Sequence, residues 1–255
     1  AQTTFFDTVW DFTDAILSAP ELQMEMPLWE ADWRRRAAAG FQKRGNSPLN
    51  NIIGALDGIA IAQEQPSIAD VACPKDHWCR KGFFALNVQA ICDSNYEFLW
   101  MSCRTPGSSH DSAALACSDF GQFLNNSSLP LIQMLIAEGL CIAADEAYGD
   151  CELLAVPWPG GGGGNTWRDS YNFHQSSARI HIEQAFGQLV WRWGIFWRPL
   201  RMPFLKRPLV IKTAFLLHNL CRRHDAMPLS ELGGRATASR TLVLGLNATG
   251  GEDSQ

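Results

Sequence analysis

Three acidic residues, Asp57, Asp145 and Glu183, lie in apolar or helical segments. There the negative charge of a carboxylate must be balanced by a partner, or the side chain is held on a rigid element. Asp57 lies inside an apolar run, Asp145 directly follows another, and Glu183 lies within a helical pattern. An ionised carboxylate in apolar surroundings requires a cation, a base partner or a metal ion. Carboxylates on rigid elements are the ligands that Mg²⁺ and Mn²⁺ prefer, and two such ions can clamp both oxygens of a phosphodiester displacement. The three acids therefore suggest metal-dependent phosphodiester chemistry.

Each acid also has a simpler explanation. Asp57 could be a solvated strand residue near a sheet edge, and Asp145 could be an Asp that starts a turn after a strand. Glu183 could form a helical salt bridge with Arg179 one turn earlier, worth a few tenths of a kcal/mol. The chemical interpretation therefore requires that the three carboxylates converge in the fold.

The elements that must position these acids follow from apolar patterning. Strands are predicted at residues 51–62, 83–92, 97–103 and 140–144. The first carries Asp57, the next two form a hairpin, and the last delivers Asp145 at its end. Helices are predicted at residues 5–17, 29–39, 111–124, 129–137 and 208–223, and another is predicted to start at Ser176 and to carry Glu183. This order predicts a mixed α/β sheet flanked by helices.

Bulk composition is that of an ordinary globular protein. The 255 residues are 46% hydrophobic and 18% charged, with a formal net charge of −5. The net charge argues against a uniformly basic DNA-binding surface but allows local basic strips. No secretory signal or membrane-spanning run is evident, so a reduced intracellular compartment is the default expectation. Because the chain begins at Ala1 rather than Met, an upstream region is expected to be missing.

Two further motifs carry weaker signals. Cys73, His77 and Cys79 have part of a zinc-site spacing, but a fourth ligand is not evident, and free thiols are the alternative. The run Gly160–Gly164 is not followed by the lysine and Ser/Thr of a phosphate-binding loop. It is therefore predicted to be a flexible loop.

Six sequence blocks stand in a fixed order around the acids. They are GALDG (54–58), RKGFFALNVQA (80–90), PGSSHDS (106–112), ADEAY (144–148), SSARIHIEQAFG (176–187) and LHNLC (217–221). This ordered set resembles the nuclease domain of PIF/Harbinger-type DDE transposases, the Harbinger-derived nuclease family, over roughly residues 50–224. The resemblance divides the chain into a helical segment at 1–49, the nuclease domain at 50–224 and a polar tail at 225–255, which is expected to be loosely ordered.

The resemblance implies a ribonuclease H-like fold and a divalent-metal DNA nuclease that cuts and rejoins phosphodiesters. It assigns Asp57, Asp145 and Glu183 as the DDE triad and adds Asp111 as a fourth metal-binding acid; without it, Asp111 would be only a helix-start residue. Two Mg²⁺ or Mn²⁺ ions are expected. The candidates for DNA phosphate contacts are Arg80, Lys81, Arg179 and Arg192.

The resemblance also implies partners and leaves one functional alternative. DNA, both transposon ends and target, is the expected partner, with a homodimer, a separate Myb-like DNA-binding protein and nuclear localisation as further expectations. The family usually has Thr-His after the first Asp-Gly, where this chain has Ile59 and Ala60, and a small residue where this chain has Glu146. These departures favour the alternative, a domesticated chromatin or protein-interaction module without catalysis.

Overall fold

The computed structural model describes residues 2–149 and 151–224, without the side chains of residues 2–6, 161 and 162. The polar tail predicted at 225–255 lies outside the described residues. The helices are α1 (Gln2–Ser18), α2 (Ala31–Gly45), α3 (Asp111–Ala116), α4 (Asp119–Leu124), α5 (Pro130–Ala137), α6 (Thr166–Arg192) and α7 (Arg207–His224). Short 3-10 turns lie at Pro20–Leu22, Pro74–His77, Glu146–Tyr148, Pro159–Gly164, Gly194–Trp197 and Phe204–Lys206.

A five-stranded mixed sheet forms the centre of the fold. Its strands are β1 (Ile52–Ala62), β2 (Ala85–Cys92), β3 (Phe98–Pro106), β4 (Cys141–Ala143) and β5 (Leu154–Ala155). They lie in the order β3-β2-β1-β4-β5. The pairs β1–β2 and β2–β3 are antiparallel, whereas β1–β4 and β4–β5 are parallel. This α/β arrangement with flanking helices is consistent with the ribonuclease H-like fold of DDE nucleases and confirms the expected fold class.

Two apolar cores cover the two faces of the sheet. Successive side chains of β1 alternate between them, as strand geometry requires. On one face, Ala55 and Ile59 pack with residues of α6 and α7, including Ile182 and Phe215. On the other face, Leu56 packs with α4 and α5. Helix α2 contacts β1 and helix α1 contacts α7, so the N-terminal helices pack onto the elements of the central domain.

The helix predicted over 111–124 is two helices, so that prediction is wrong. The Ser118 hydroxyl donates to the carbonyl of Leu115 (2.6 Å) and accepts the N–H of Gly121 (2.9 Å). A serine in this position ends one helix and caps the next. The chain therefore turns between α3 and α4, and α3 presents Asp111 at its start.

The helix carrying Glu183 starts at Thr166 rather than at Ser176. The Asn165 side chain caps it by accepting the N–H of Trp167 (3.2 Å). Much of the first part of the helix is exposed, so it lacks the apolar stripe by which a helix is recognised in sequence. The glycine-rich segment before it, predicted to be a flexible loop, forms the 3-10 turn Pro159–Gly164.

Asn219 joins α7 to the edge strand β3. Its amide donates to the carbonyl of Phe98 (2.7 Å), and its carbonyl accepts the N–H of Phe98 (2.8 Å). The side chain thus replaces a neighbouring strand at an otherwise open edge. This contact gives the LHNLC block a structural role.

We expect Asn219→Ala to lower the free energy of unfolding by about 2–4 kcal/mol, because it leaves two buried backbone groups without partners. Asn172 is the matched control, since its amide makes the same pair of bonds to Trp158 (2.7 and 3.1 Å) at an exposed position. Asn172→Ala should cost under about 1 kcal/mol because water replaces the lost partner. Urea unfolding of both variants tests this, and equal losses would contradict it.

Candidate active site

Asp57 lies in the middle of β1, on the face that packs against α6. Its Oδ1 accepts the N–H of Gly58 (2.7 Å), and its Oδ2 lies 3.9 Å from Nη1 of Arg179. Burial raises the pKa of Asp57 to about 7, the negative charges of Asp111 and Glu183 add to this rise, and the Gly58 N–H and Arg179 oppose it. A carboxyl group so perturbed on a central strand is a functional-site candidate.

Arg179 connects Asp57 with Glu183. Its Nη1 is 2.6 Å from Oε1 of Glu183, one helical turn away. The salt bridge considered as the simple explanation for Glu183 therefore exists, but the same guanidinium also faces Asp57. Arg179, one of the four predicted phosphate contacts, thus contacts two of the acids directly.

Asp111 approaches the sheet at the start of α3. Its Oδ1 accepts hydrogen bonds from Gln89 (3.0 Å) and Asn87 (3.1 Å), both on β2. The approach is close enough that a Cβ at Gly58 would lie 2.5 Å from Oδ1 of Asp111. The glycine that follows Asp57 therefore makes room for the fourth acid.

Asp145 follows β4 by two residues and begins the 3-10 turn that carries Tyr148. The carbonyl of Asp145 accepts the N–H of Tyr148 (3.1 Å). The buried Tyr148 hydroxyl donates to Oε1 of Gln89 (2.5 Å), the residue that also binds Asp111. Burial raises the pKa of Tyr148, and the charges of Asp57, Asp111 and Asp145 raise it further.

Tyr148 is therefore a site residue to which the sequence assigned no role. It lies in the ADEAY block beside Asp145, but only the fold shows that the charges of three acids act on its hydroxyl. Arg179 links Asp57 with Glu183, the Tyr148–Gln89 contact links Tyr148 with Asp111, and the charge of Asp145 also acts on Tyr148.

Their carboxylates are not in contact distance of a common ion. Among the described residues, no three His, Cys, Asp or Glu side chains are close enough to hold a metal. Asp57 and Glu183 instead contact the Gly58 N–H and Arg179. The donor chemistry nevertheless fits a hard divalent cation, because all four groups offer carboxylate oxygens and Asp57 is poorly solvated. The shared metal site stays a prediction.

Arg80 and Lys81 line a cavity of about 130 Å³ beside Asp111. Gly58, Asn87 and His110 also line it. Burial lowers the pKa of Lys81, as does the charge of Arg80, while nearby negative charges including those of Asp57 and Asp111 raise it. Both predicted phosphate contacts therefore lie next to the acids.

Arg192 lies elsewhere. It ends α6, 13 residues after Arg179, and a helix rises 1.5 Å per residue, so the two are separated by about 20 Å along the axis. The structure therefore brings Arg80, Lys81 and Arg179 to the acids and leaves Arg192 apart from them.

The alternative zinc site is not assembled. His77 is buried, and its Nδ1 lies 2.8 Å from Nε2 of Gln63 and 3.3 Å from the carbonyl of Ala85. Cys73 is exposed, Cys79 is buried, and all eight cysteines are free. Within the part of the chain that the structure covers, no cluster of metal-ligating side chains includes them.

Comparison with known proteins identifies the family of the chain. A family model described as "DDE superfamily endonuclease" matches residues 56–219. The chain belongs to the DDE endonuclease superfamily. The match includes Asp57, Asp111, Asp145 and Glu183.

A relative from Arabidopsis thaliana, "Protein ALP1-like", is 27% identical over 202 residues. The match covers 72% of this chain but only 48% of the relative, so the chain spans about half the length of the curated relative that it matches. No solved structure matches. None of the described helices is long and apolar enough to cross a membrane.

Proposed function

We propose that this DDE endonuclease domain is a PIF/Harbinger-type transposase nuclease that hydrolyses DNA phosphodiesters and transfers strands with Asp57, Asp145 and Glu183. The observation that carries the proposal is the environment of Asp57. A desolvated carboxyl with a pKa of about 7 lies on the central strand, coupled to Asp111 and Glu183 and faced by a cation. Such an arrangement suits a site in which a bound metal ion and the substrate balance the charges of the protein side chains.

Carboxylate oxygens from Asp57, Asp111, Asp145 and Glu183 would hold two Mg²⁺ or Mn²⁺ ions, which when bound supply an activated attacking oxygen and stabilise the leaving 3′ oxygen. The protein's own residues do the positioning. Arg179 orients Asp57 and Glu183, and the Tyr148–Gln89 contact orients Asp111. Arg80 and Lys81, which line the adjacent cavity, would bind the DNA phosphates.

The cellular setting is part of the same proposal. DNA at transposon ends and at the target site is the substrate, the protein acts in the nucleus, and a homodimer and a Myb-like DNA-binding partner complete the assembly. The substrate, localisation and partners proposed here concern the whole protein, because the chain spans only about half of the ALP1-like relative.

We expect Mn²⁺ to stabilise the folded protein and Glu183→Gln to reduce that effect. An ion that binds only the folded state stabilises it by about 2.7 kcal/mol at a hundred times Kd. The matched control is Glu138→Gln, because Glu138 is also paired with an arginine, Arg34, at 2.6 Å, and the two glutamates have similar exposure, 38% and 42%. Melting curves with and without Mn²⁺ measure the shifts.

The Glu138 variant should keep the full wild-type shift. If the Glu183 variant kept it too, Mn²⁺ would bind elsewhere and Glu183 would lose its assigned role.

A second candidate function is a domesticated chromatin or protein-interaction module. The observation that favours it is Arg179, which pairs with Glu183 and faces Asp57. Its positive charge offsets the charges of these acids without a metal ion. Ile59, Ala60 and Glu146 depart from the pattern of the transposase family. Calorimetry separates the two candidates, because a nuclease site should bind Mn²⁺ tightly and a module without catalysis should not.

A further inference from the structure

Arginines from two helices converge on the turn between β2 and β3, and the charge of an arginine from a third helix acts on one of them. Arg44 is in the last turn of α2, Arg192 ends α6, and Arg222 is in the last turn of α7. The guanidinium carbons of Arg44 and Arg222 each lie 5.4 Å from the centroid of the Tyr96 ring. Burial and the charges of Arg44 and Arg192 lower the pKa of Arg222, whereas Tyr96 and the charge of Asp93 raise it. We call these residues the Tyr96 arginine cluster.

Two members of the cluster are anchored to neutral groups. Arg44 donates to the side-chain carbonyl of Asn95 (2.7 Å), and Arg222 donates to its backbone carbonyl (3.1 Å). Within residues 2–149 and 151–224, neither makes an ion pair, in contrast to Arg223, which pairs with Glu97 at 2.9 Å. The fold thus holds two like charges in place without a direct ion pair to either, although the charge of Asp93 raises the pKa of Arg222.

The turn beneath these arginines is rigidly built. Asp93 accepts the N–H groups of Asn95 (2.8 Å) and Glu97 (2.9 Å) through Oδ1. Tyr96 adopts a left-handed backbone with φ of 66°, and its carbonyl accepts a hydrogen bond from Nε2 of His218 (2.9 Å). Because the turn is fixed from several sides, the guanidinium groups are positioned before any ligand arrives.

Helix ends alone do not explain the cluster. An arginine near a helix C-terminus is favoured by the helix dipole. That preference is satisfied at each helix separately, and it does not require α2 and α7 to bring their arginines to one turn. Guanidinium groups that are held in place without a direct ion pair, as those of Arg44 and Arg222 are, have the chemistry of a phosphate-binding surface.

We propose that the Tyr96 arginine cluster binds the phosphodiester backbone of duplex DNA. The proposal rests on the proposed function in that the substrate is DNA. Helix α6 connects this cluster to the acids, because Arg179 faces Asp57 and Arg192 lies 13 residues later. That separation is about 20 Å, or about six base pairs of duplex. The cluster would therefore contact DNA that flanks the cleavage point.

The test is the salt dependence of DNA binding by the full 255-residue chain in EDTA, measured by fluorescence anisotropy with a labelled duplex. Each phosphate contact contributes about 0.9 to the slope of log K against log salt. Arg44→Gln with Arg222→Gln should therefore reduce the slope by about 2. If the plots of log K against log salt for the wild type and the double variant meet near about 1 M NaCl, the double variant binds DNA about 60-fold more weakly than the wild type at about 0.1 M NaCl.

Two further double variants control for charge and folding. Arg35→Gln with Arg201→Gln removes two exposed arginines that are ion-paired with Asp32 and Glu64, and it should leave the slope at the wild-type value. Arg44→Lys with Arg222→Lys keeps both charges and should also keep the slope. An unchanged slope in the glutamine variant, an equal loss in the control pair, or loss of the slope in the lysine variant would each overturn the proposal.

Because binding is measured without divalent ions, the result does not depend on cleavage. If the salt dependence of DNA binding changes in the glutamine variant but the wild type shows no Mn²⁺-dependent cleavage, the nuclease proposal alone would be overturned. Cleavage accompanied by a slope independent of the arginines would overturn this inference alone.

Discussion

Asp57→Asn is expected to abolish Mn²⁺-dependent nicking of DNA, with a loss of at least about a hundredfold. The substitution removes a negative ligand while keeping the shape of the side chain and its ability to accept the Gly58 N–H (2.7 Å). Supercoiled plasmid carrying transposon ends, incubated with the protein and Mn²⁺, gives the nicking rate. Because the shape of the side chain and its hydrogen bond are kept, the loss of nicking should come from the missing negative charge rather than from a collapsed site.

Asp32→Asn is the control for this experiment. Asp32 is an exposed α2 residue paired with Arg35, and it lies outside the acidic group. Its replacement should leave nicking at the wild-type rate. Undiminished nicking by the Asp57 variant would remove Asp57 from the catalytic group, and parallel losses in both variants would show that general charge is what matters.

The second expected result is that Asp57→Asn stabilises the protein near pH 8 in EDTA. Burial raises the pKa of Asp57 from 3.8 to about 7, so the folded state favours the neutral carboxyl. The stability that Asp57 contributes is fully present below pH 3.8 and is lost as the pH rises through about 7. Because asparagine does not ionise, the variant escapes this loss, which is about 4 kcal/mol for a shift of this size.

Urea unfolding at a series of pH values measures the effect. The advantage of Asp57→Asn should be near zero at about pH 4, grow up to about pH 7 and then stay constant. Asp70 provides a control of opposite sign, because hydrogen bonds from the Ser67 hydroxyl and N–H lower its pKa. Asp70→Asn should therefore be less stable than wild type at neutral pH. A constant difference between Asp57→Asn and wild type at all pH values would show that Asp57 is not desolvated.

The sequence alone was sufficient for the strands that carry the acids. The apolar runs around Asp57 and before Asp145 predict β1 and β4, which form at Ile52–Ala62 and Cys141–Ala143. These runs are long or sharply bounded, and burial on the sheet is the dominant constraint on them. The fold class followed from the order of the predicted elements, and the DDE family followed from the resemblance of the six sequence blocks.

Helix boundaries depended on side-chain contacts that the apolar pattern does not contain. Ser118 divides the helix predicted at 111–124 through two hydrogen bonds of its hydroxyl. Asn165 starts α6 well before the first apolar stripe. Capping acts through single polar atoms, whereas periodicity reports only which face is buried.

Tertiary structure decided the contacts that define the candidate active site and the Tyr96 arginine cluster. Arg179 meets Asp57 across 122 positions of sequence, Tyr148 reaches Gln89 across 59, and Arg222 reaches Asn95 across 127. Sequence patterning identifies each of these side chains as polar, but it does not say which partner a polar side chain meets, because that depends on how β1, α6 and α7 pack. The sequence therefore determined which acids this protein has, and the packing of its elements determined which charges surround them.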